Sequence, residues 1–156
     1  MLKIKSKFKG KNLEKFLLNQ VEKIERNLEN ELLIVGLEFV RDARIKADFT
    51  DRTGNLRSSI GFVLLKDGRP IFQNFEESTK KGTDKKTGVD QAIKYVKEVA
   101  GAELILGYSL VVVAGMDYAA YVESQGKDVL TGSSLIAERN LKKAFKNLER
   151  RVNNAS

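Results

Sequence analysis

Carboxylates and guanidinium groups crowd one short stretch of this chain, where Asp42, Asp48 and Asp51 stand among Arg41, Arg44, Arg52 and Arg57. Carboxylates this close together are the raw material for a hard-cation site, since calcium and magnesium take oxygen ligands. The interleaved arginines make local ion pairing the stronger reading. Two glycine–lysine pieces, "GTDKKTG" (82–88) and "GKDVLTG" (126–132), invite comparison with phosphate-binding loops. Neither fits. The first spaces its glycines too widely and runs on into Val89, and the second has no Lys-Ser/Thr after its closing glycine. Glu123 lies near Tyr118 and Tyr121 but has no acid–base companion in the sequence around it. The chain holds no histidine and no cysteine. That removes the usual general base near neutral pH, the thiolate nucleophile, disulfides and the commonest zinc ligands. No catalytic constellation emerges, so the expectation is a non-enzymatic protein with no cofactor and no metal.

The net charge of +7 points toward polyanions or acidic protein surfaces as neighbours. Its clearest local expression is near the C-terminus. There Ala137, Leu141, Ala144, Phe145, Leu148 and Val152 fall on one side of a helix at 100° per residue. Arg139, Lys142, Lys143, Lys146 and Arg150 fall on the other. Such a stripe is either a solvated face or a surface for phosphates or an acidic partner. No aromatic residues interleave with these bases, so stacking on single strands is not indicated, and no base-reading motif is present. Any contact with DNA is expected to be electrostatic and indifferent to sequence.

Elements must position these groups. At 156 residues, 42% apolar and 31% charged, the chain reads as a single domain, 1–156. The start, "MLKIKSKFKGK" (1–11), is basic and lacks the continuous apolar core of a secretion signal, so it reads as an exposed arm. No run approaches the ~18 apolar residues of a membrane span, and a chain acting without crossing a membrane is expected. Leu13, Phe16, Leu17, Val21, Ile24, Leu28, Leu32, Val35 and Phe39 recur at helical spacing. They predict one helix over 12–47, capped by Asn12 and bent at Gly36. At ~1.5 Å per residue it would span about 50 Å, more than a compact domain of this size needs. "SIGFVLL" and "PIFQNF", joined through Asp67-Gly68, predict a hairpin. The lysine-rich 76–88 reads as a mobile loop. Thr87 and Asp90 resemble a capping box opening a helix over 89–99. "AELILGYS" and "LVVVAGM" predict a second hairpin turning near Gly107-Tyr108-Ser109. Asp117 is placed as the cap of a short helix, and the last helix is expected over 134–152. The fold class is therefore α+β, with a long N-terminal helix, an antiparallel sheet of about four strands from two hairpins, and a C-terminal amphipathic helix.

Two motifs at this separation have a familiar look. "DRTGNLRSSI" (51–60) leads into the first strand, and "VVVAGMDYAAYVES" (111–124) precedes the closing helix. In that order, across nearly the whole chain, they resemble the small tail-component proteins of long-tailed bacteriophages, the neck and tail-completion group that joins head to tail. The resemblance implies a virion structural protein made in the host cytoplasm. It implies assembly as a homo-oligomeric ring between head–tail connector and tail-tube proteins, with passing DNA as a non-specific neighbour. Carried onto this sequence, the first motif is Thr53, Gly54, Asn55, Leu56, Arg57, Ser59 and Ile60. The second is Tyr118, Ala119, Tyr121, Val122, Glu123 and Gly126. There are departures: Gln125 adds a residue before Gly126, Lys127 stands where the family has threonine, and "TGSSLIA" replaces a proline-containing stretch.

Local chemistry gives the first motif a mechanical sense. Thr53 is placed to cap, Gly54 to redirect the chain, and Asn55 to bond the nearby backbone. Leu56 and Ile60 are expected to anchor the turn in the core while Arg57 stays free for a partner. Tyr118, Tyr121 and Val122 share a helical face expected to be core. The competing function is that of a sequence-independent DNA-binding protein, which the basic stripe also suits.

Overall fold

The computed structural model describes residues 10–100 and 106–154. Its elements run α1 (Gly10–Lys46), α2 (Asn55–Ser58), β1 (Ile60–Lys66), β2 (Arg69–Asn74), α3 (Lys85–Ala100), β3 (Tyr108–Ala114), α4 (Ala119–Ser124) and α5 (Thr131–Asn154). The class is α+β, with the long first helix and the C-terminal helix in place. Three strands are present among the described residues, antiparallel and in the order β2-β1-β3. The strand expected over 102–109 lies largely outside the described residues. Gly107 does turn the chain, with φ of +82°, but Tyr108 and Ser109 already belong to β3.

β1 explains the layering. It is buried from Ile60 to Leu65 without the alternation of a half-exposed strand. Ile60 and Phe62 pack beneath α1 with Phe39, Val40 and Ala43. Val63 and Leu65 face the other way, against Ala92 and Val96 of α3 and Val113 of β3. A strand covered on both faces reads as a continuous apolar run. β3 therefore pairs along the whole of β1, from Ile60↔Ala114 to Lys66↔Tyr108, rather than closing a hairpin of its own. β2 forms the exposed edge. Pro70 sits in it, and the register slips between Leu64 and Leu65, two devices that blunt a strand edge against further pairing.

α1 begins at Gly10, so Asn12 lies inside its first turn instead of capping it. α5 packs antiparallel along it, fixed by Arg151 to Glu31 at 3.4 Å and by Asn140 to Glu38 at 3.1 Å. Burial is uneven. Leu32 onward is core, whereas Leu13, Phe16, Leu17, Leu18 and Val21 are between 44% and 57% exposed. Gly36 lies where α1 crosses the sheet. A Cβ there would stand 2.6 Å from the Phe62 ring, so the missing side chain is a close-approach device.

Two further helices start earlier than expected. Lys85–Gly88, expected as loop, are the opening residues of α3, and Thr87 donates its hydroxyl to Asp84 at 2.6 Å instead of capping a later start. α5 starts at Thr131. Asp117 is exposed and does not cap α4, which Tyr118 precedes with no side-chain cap.

Phe62 is fully buried and stacks on Phe72 at 5.7 Å, so it cannot yield to a larger neighbour. Gly36→Val is expected to cost about 1–3 kcal/mol in urea denaturation. Gly10→Ala, in open space, should change stability by less than about 0.5 kcal/mol.

Candidate functional site

The segment leaving α1 is organised around Arg57. Its Nε donates to Asp51 Oδ2 at 2.7 Å, its Nη1 donates to the Arg44 carbonyl, and its guanidinium lies 4.8 Å over the Phe49 ring. It is only 5% exposed. The expectation that Arg57 stays free for a partner is thereby corrected: its charge is consumed in joining the end of α1 to α2. The crowded carboxylates and arginines do pair locally, as Asp51 with Arg57 and as Asp42 with Arg41 and Lys46. Among the described residues no group of three His, Cys, Asp or Glu could hold a metal ion.

Gly54 makes the redirection, with φ of +76°, in the left-handed region where side chains are strained. Thr53 contributes its carbonyl, which accepts the Asp84 N–H at 3.0 Å, and α2 carries no side-chain cap. Leu56 and Ile60 are buried, as expected. The serines are buried too. Ser58 Oγ donates to the Gly54 carbonyl and accepts the Ser78 N–H, and Ser59 Oγ donates to the Leu56 carbonyl. The stretch 76–84, part of the expected mobile loop, thus lies against the hinge, with Lys85 Nζ donating to the Ser78 carbonyl at 3.0 Å.

Asn55 joins the two sequence motifs. Its Oδ1 accepts the Leu56 N–H at 2.8 Å and the Tyr118 hydroxyl at 2.5 Å. Burial raises the Tyr118 pKa; the Asn55 bond opposes this, and the charges of Asp84 and Asp51 reinforce it. Between the motifs lies a groove of about 610 Å3, lined by Phe49, Arg52, Thr53, Asn55, Tyr118 and Tyr121 among others. Its tyrosines correct the core expectation: Tyr118 is 39% and Tyr121 66% exposed, while Ala119 is buried and Val122 half-buried.

Glu123 acts on the backbone. Its Oε1 accepts the Leu130 N–H at 3.2 Å and the Thr131 N–H at 2.8 Å, holding donors that the α5 N-terminus would otherwise leave unpaired. Gly126, with φ of +78°, ends the turn after α4 by donating to the Glu123 carbonyl at 3.0 Å, and faces open space. On α5, Arg139, Lys142, Lys143, Lys146 and Arg150 are all exposed, as the periodicity predicts. Lys142 is partnered by Glu138 at 2.6 Å. Phe145 is 46% exposed, so the apolar side of this helix is only partly covered. The cap formed by Glu123 and the Asn55–Tyr118 bond had no signal in the sequence, because each spans a distant contact.

Comparison with known protein families, curated proteins and solved structures gives no match for this chain.

Two outcomes test this construction. Asp51→Ala leaves a buried guanidinium without its carboxylate and is expected to lose about 3–5 kcal/mol in urea denaturation, most of it recovered in the double variant Asp51→Ala/Arg57→Leu. For Glu123, burial raises the pKa, but the hydrogen bonds from Thr131, Leu130 and Val129 outweigh it, and the folded value lies below the usual carboxylate range. A depressed folded pKa stabilises the fold above the unfolded pKa, and that contribution disappears as pH falls through the folded value. Glu123→Gln should therefore flatten the stability loss below about pH 4.3, read as midpoint shifts across a pH series.

Proposed function

We propose that this chain is a structural protein of the bacteriophage virion, a neck or tail-completion component that assembles as a ring and docks between the connector and the tail tube. One observation carries the reading. The N-terminal half of a 37-residue helix holds Leu13, Phe16, Leu17, Leu18 and Val21 in exposed positions, apolar surface of the kind that marks an interaction site. The meeting of the two motifs at Asn55 and Tyr118 adds support, since Thr53 to Leu56 of the first motif and Tyr118, Tyr121 and Val122 of the second line one groove. The work of such a protein is geometric, with no bond made or broken. Its placement is the virion, and its partners are copies of itself, the connector and the tail-tube protein.

A second reading, sequence-independent binding of DNA, is favoured by the five exposed bases of α5. In a channel the same bases serve as weak, non-specific neighbours of passing DNA.

Electron microscopy of particles made without this gene provides the test. Separated or unfinished heads and tails are expected; intact infectious particles overturn the proposal. Complementation with Leu18→Glu, at a position 57% exposed where folding should change by less than about 0.5 kcal/mol, is expected to fail. Gel shifts on duplex DNA should vanish by roughly 0.15 M salt, and submicromolar binding that survives there selects the second reading.

A further inference from the structure

Among the described lysines and arginines that are not exposed, Arg57, Lys66 and Lys85 each have a carboxylate within 4.0 Å, whereas half-buried Arg44 has none. Its Nη2 donates to the carbonyls of Ile60 at 2.8 Å and Glu76 at 2.7 Å. Its Nε is buried and meets no acceptor. Burial lowers its pKa; the Glu76 charge works against this and the Arg57 charge adds to it. A partly desolvated guanidinium with one buried N–H unpaired is a costly arrangement that an anion would complete.

The surroundings are built for that anion. Arg44 lines a cleft of about 290 Å3 between α1 and the segment following β2, together with Arg41, Arg57 and Lys80. Glu76 is the one carboxylate lining it, and neither of its carboxylate oxygens pairs with Arg44 or Lys80 within 4.0 Å. Asp42 and Asp51, outside the cleft, are already committed to Arg41 and Arg57. The hydroxyl of Thr79 adds a donor at the rim. Leu37, Val40 and Ile45 of the same helix line the cleft beside Arg41 and Arg44, and Leu37 and Ile45 are exposed. A cleft lined by cations and aliphatic groups side by side selects an anion carrying an apolar neighbour. Bare phosphate satisfies only half of it.

From this geometry we infer that the cleft between α1 and residues 74–80 binds a carboxylate of a partner polypeptide, with an aliphatic side chain beside it seated on Leu37 and Ile45. The inference stands whether or not the chain is a tail component, because it rests on Arg44 and its cleft alone.

The test uses the full chain and N-acetyl-leucine as probe, following arginine Nε–H resonances by NMR. A saturable shift of Arg44 with Kd on the order of 1–10 mM is expected. N-acetyl-leucinamide, without the charge, should produce none, and inorganic phosphate should bind more weakly. Lys80→Ala and Arg41→Gln, both at exposed positions, should each weaken the probe about two- to fivefold, with the denaturation midpoint unchanged. A shift no larger than that of Arg150, an equal response to the amide, or indifference to both variants overturns the proposal. Phosphate binding tighter than the carboxylate overturns it in favour of a nucleic-acid backbone.

Discussion

A charge buried at the end of the long helix constrains everything after it. Arg57 is desolvated, and its position holds because three groups meet it at once: the Asp51 carboxylate, the Arg44 carbonyl and the Phe49 ring. The carbonyl belongs to the last turn of α1, and the ring and carboxylate to the path between α1 and α2. The guanidinium fork accepts this because its donors are fixed in a plane, whereas an ammonium on a flexible stem would not hold several directions together. With Arg57 set, Gly54 can turn the chain, and Ile60 enters the core at the start of the central strand. A buried ion pair contributes modestly to net stability, and its better-attested use is to specify one arrangement over others.

The sheet follows from that fixed start. β1 has helices on both faces and strands on both edges, so a shift of one residue would exchange Ile60 and Phe62 with Val63 and Leu65 between two unlike surfaces. Glycines set the helix distances. Gly36 lets α1 approach Phe62, and Gly115, just beyond β3, leaves no room for a Cβ against the Ala92 backbone. Serines 58, 59 and 78 then satisfy buried backbone groups around the hinge.

Much of this was legible wherever a residue's role is decided by its neighbours in sequence. The apolar spacing of α1 and α5, the hairpin at Asp67-Gly68, the turn at Gly54 and the local pairing of aspartates with arginines all depend on short-range periodicity and chemistry. Roles set by distant contacts were not legible. Arg57 looked free because nothing local says that Phe49 will lie under it. Tyr121 looked like core because its helical face is apolar, although no element among the described residues covers it. The α5 start moved to Thr131 because Glu123, on another helix, supplies the cap. Thr53 lost its expected capping role to its own carbonyl, which serves Asp84 instead. In the groove, both motifs were visible as strings, but their junction through Asn55 is a property of the folded chain.

The surfaces left open constrain how such a chain can associate. The β2 edge is a poor candidate for strand addition, since Pro70 removes a donor and the register slip disturbs the ladder. Helix contacts are better placed. The exposed apolar residues near Leu17 and the tyrosine-lined groove lie toward opposite ends of α1, about 40 Å apart along a straight helix. The two surfaces differ in shape and chemistry, one an aliphatic stripe and the other an aromatic groove with polar walls. A contact that used one surface on each partner would be heterologous. Such contacts repeat in one direction and end in a closed ring or an open helical array, according to the rotation between neighbours. That rotation would depend on the angle at which α1 meets the sheet, which the close approach of Gly36 to Phe62 and the contacts of Arg57 at the end of α1 both constrain.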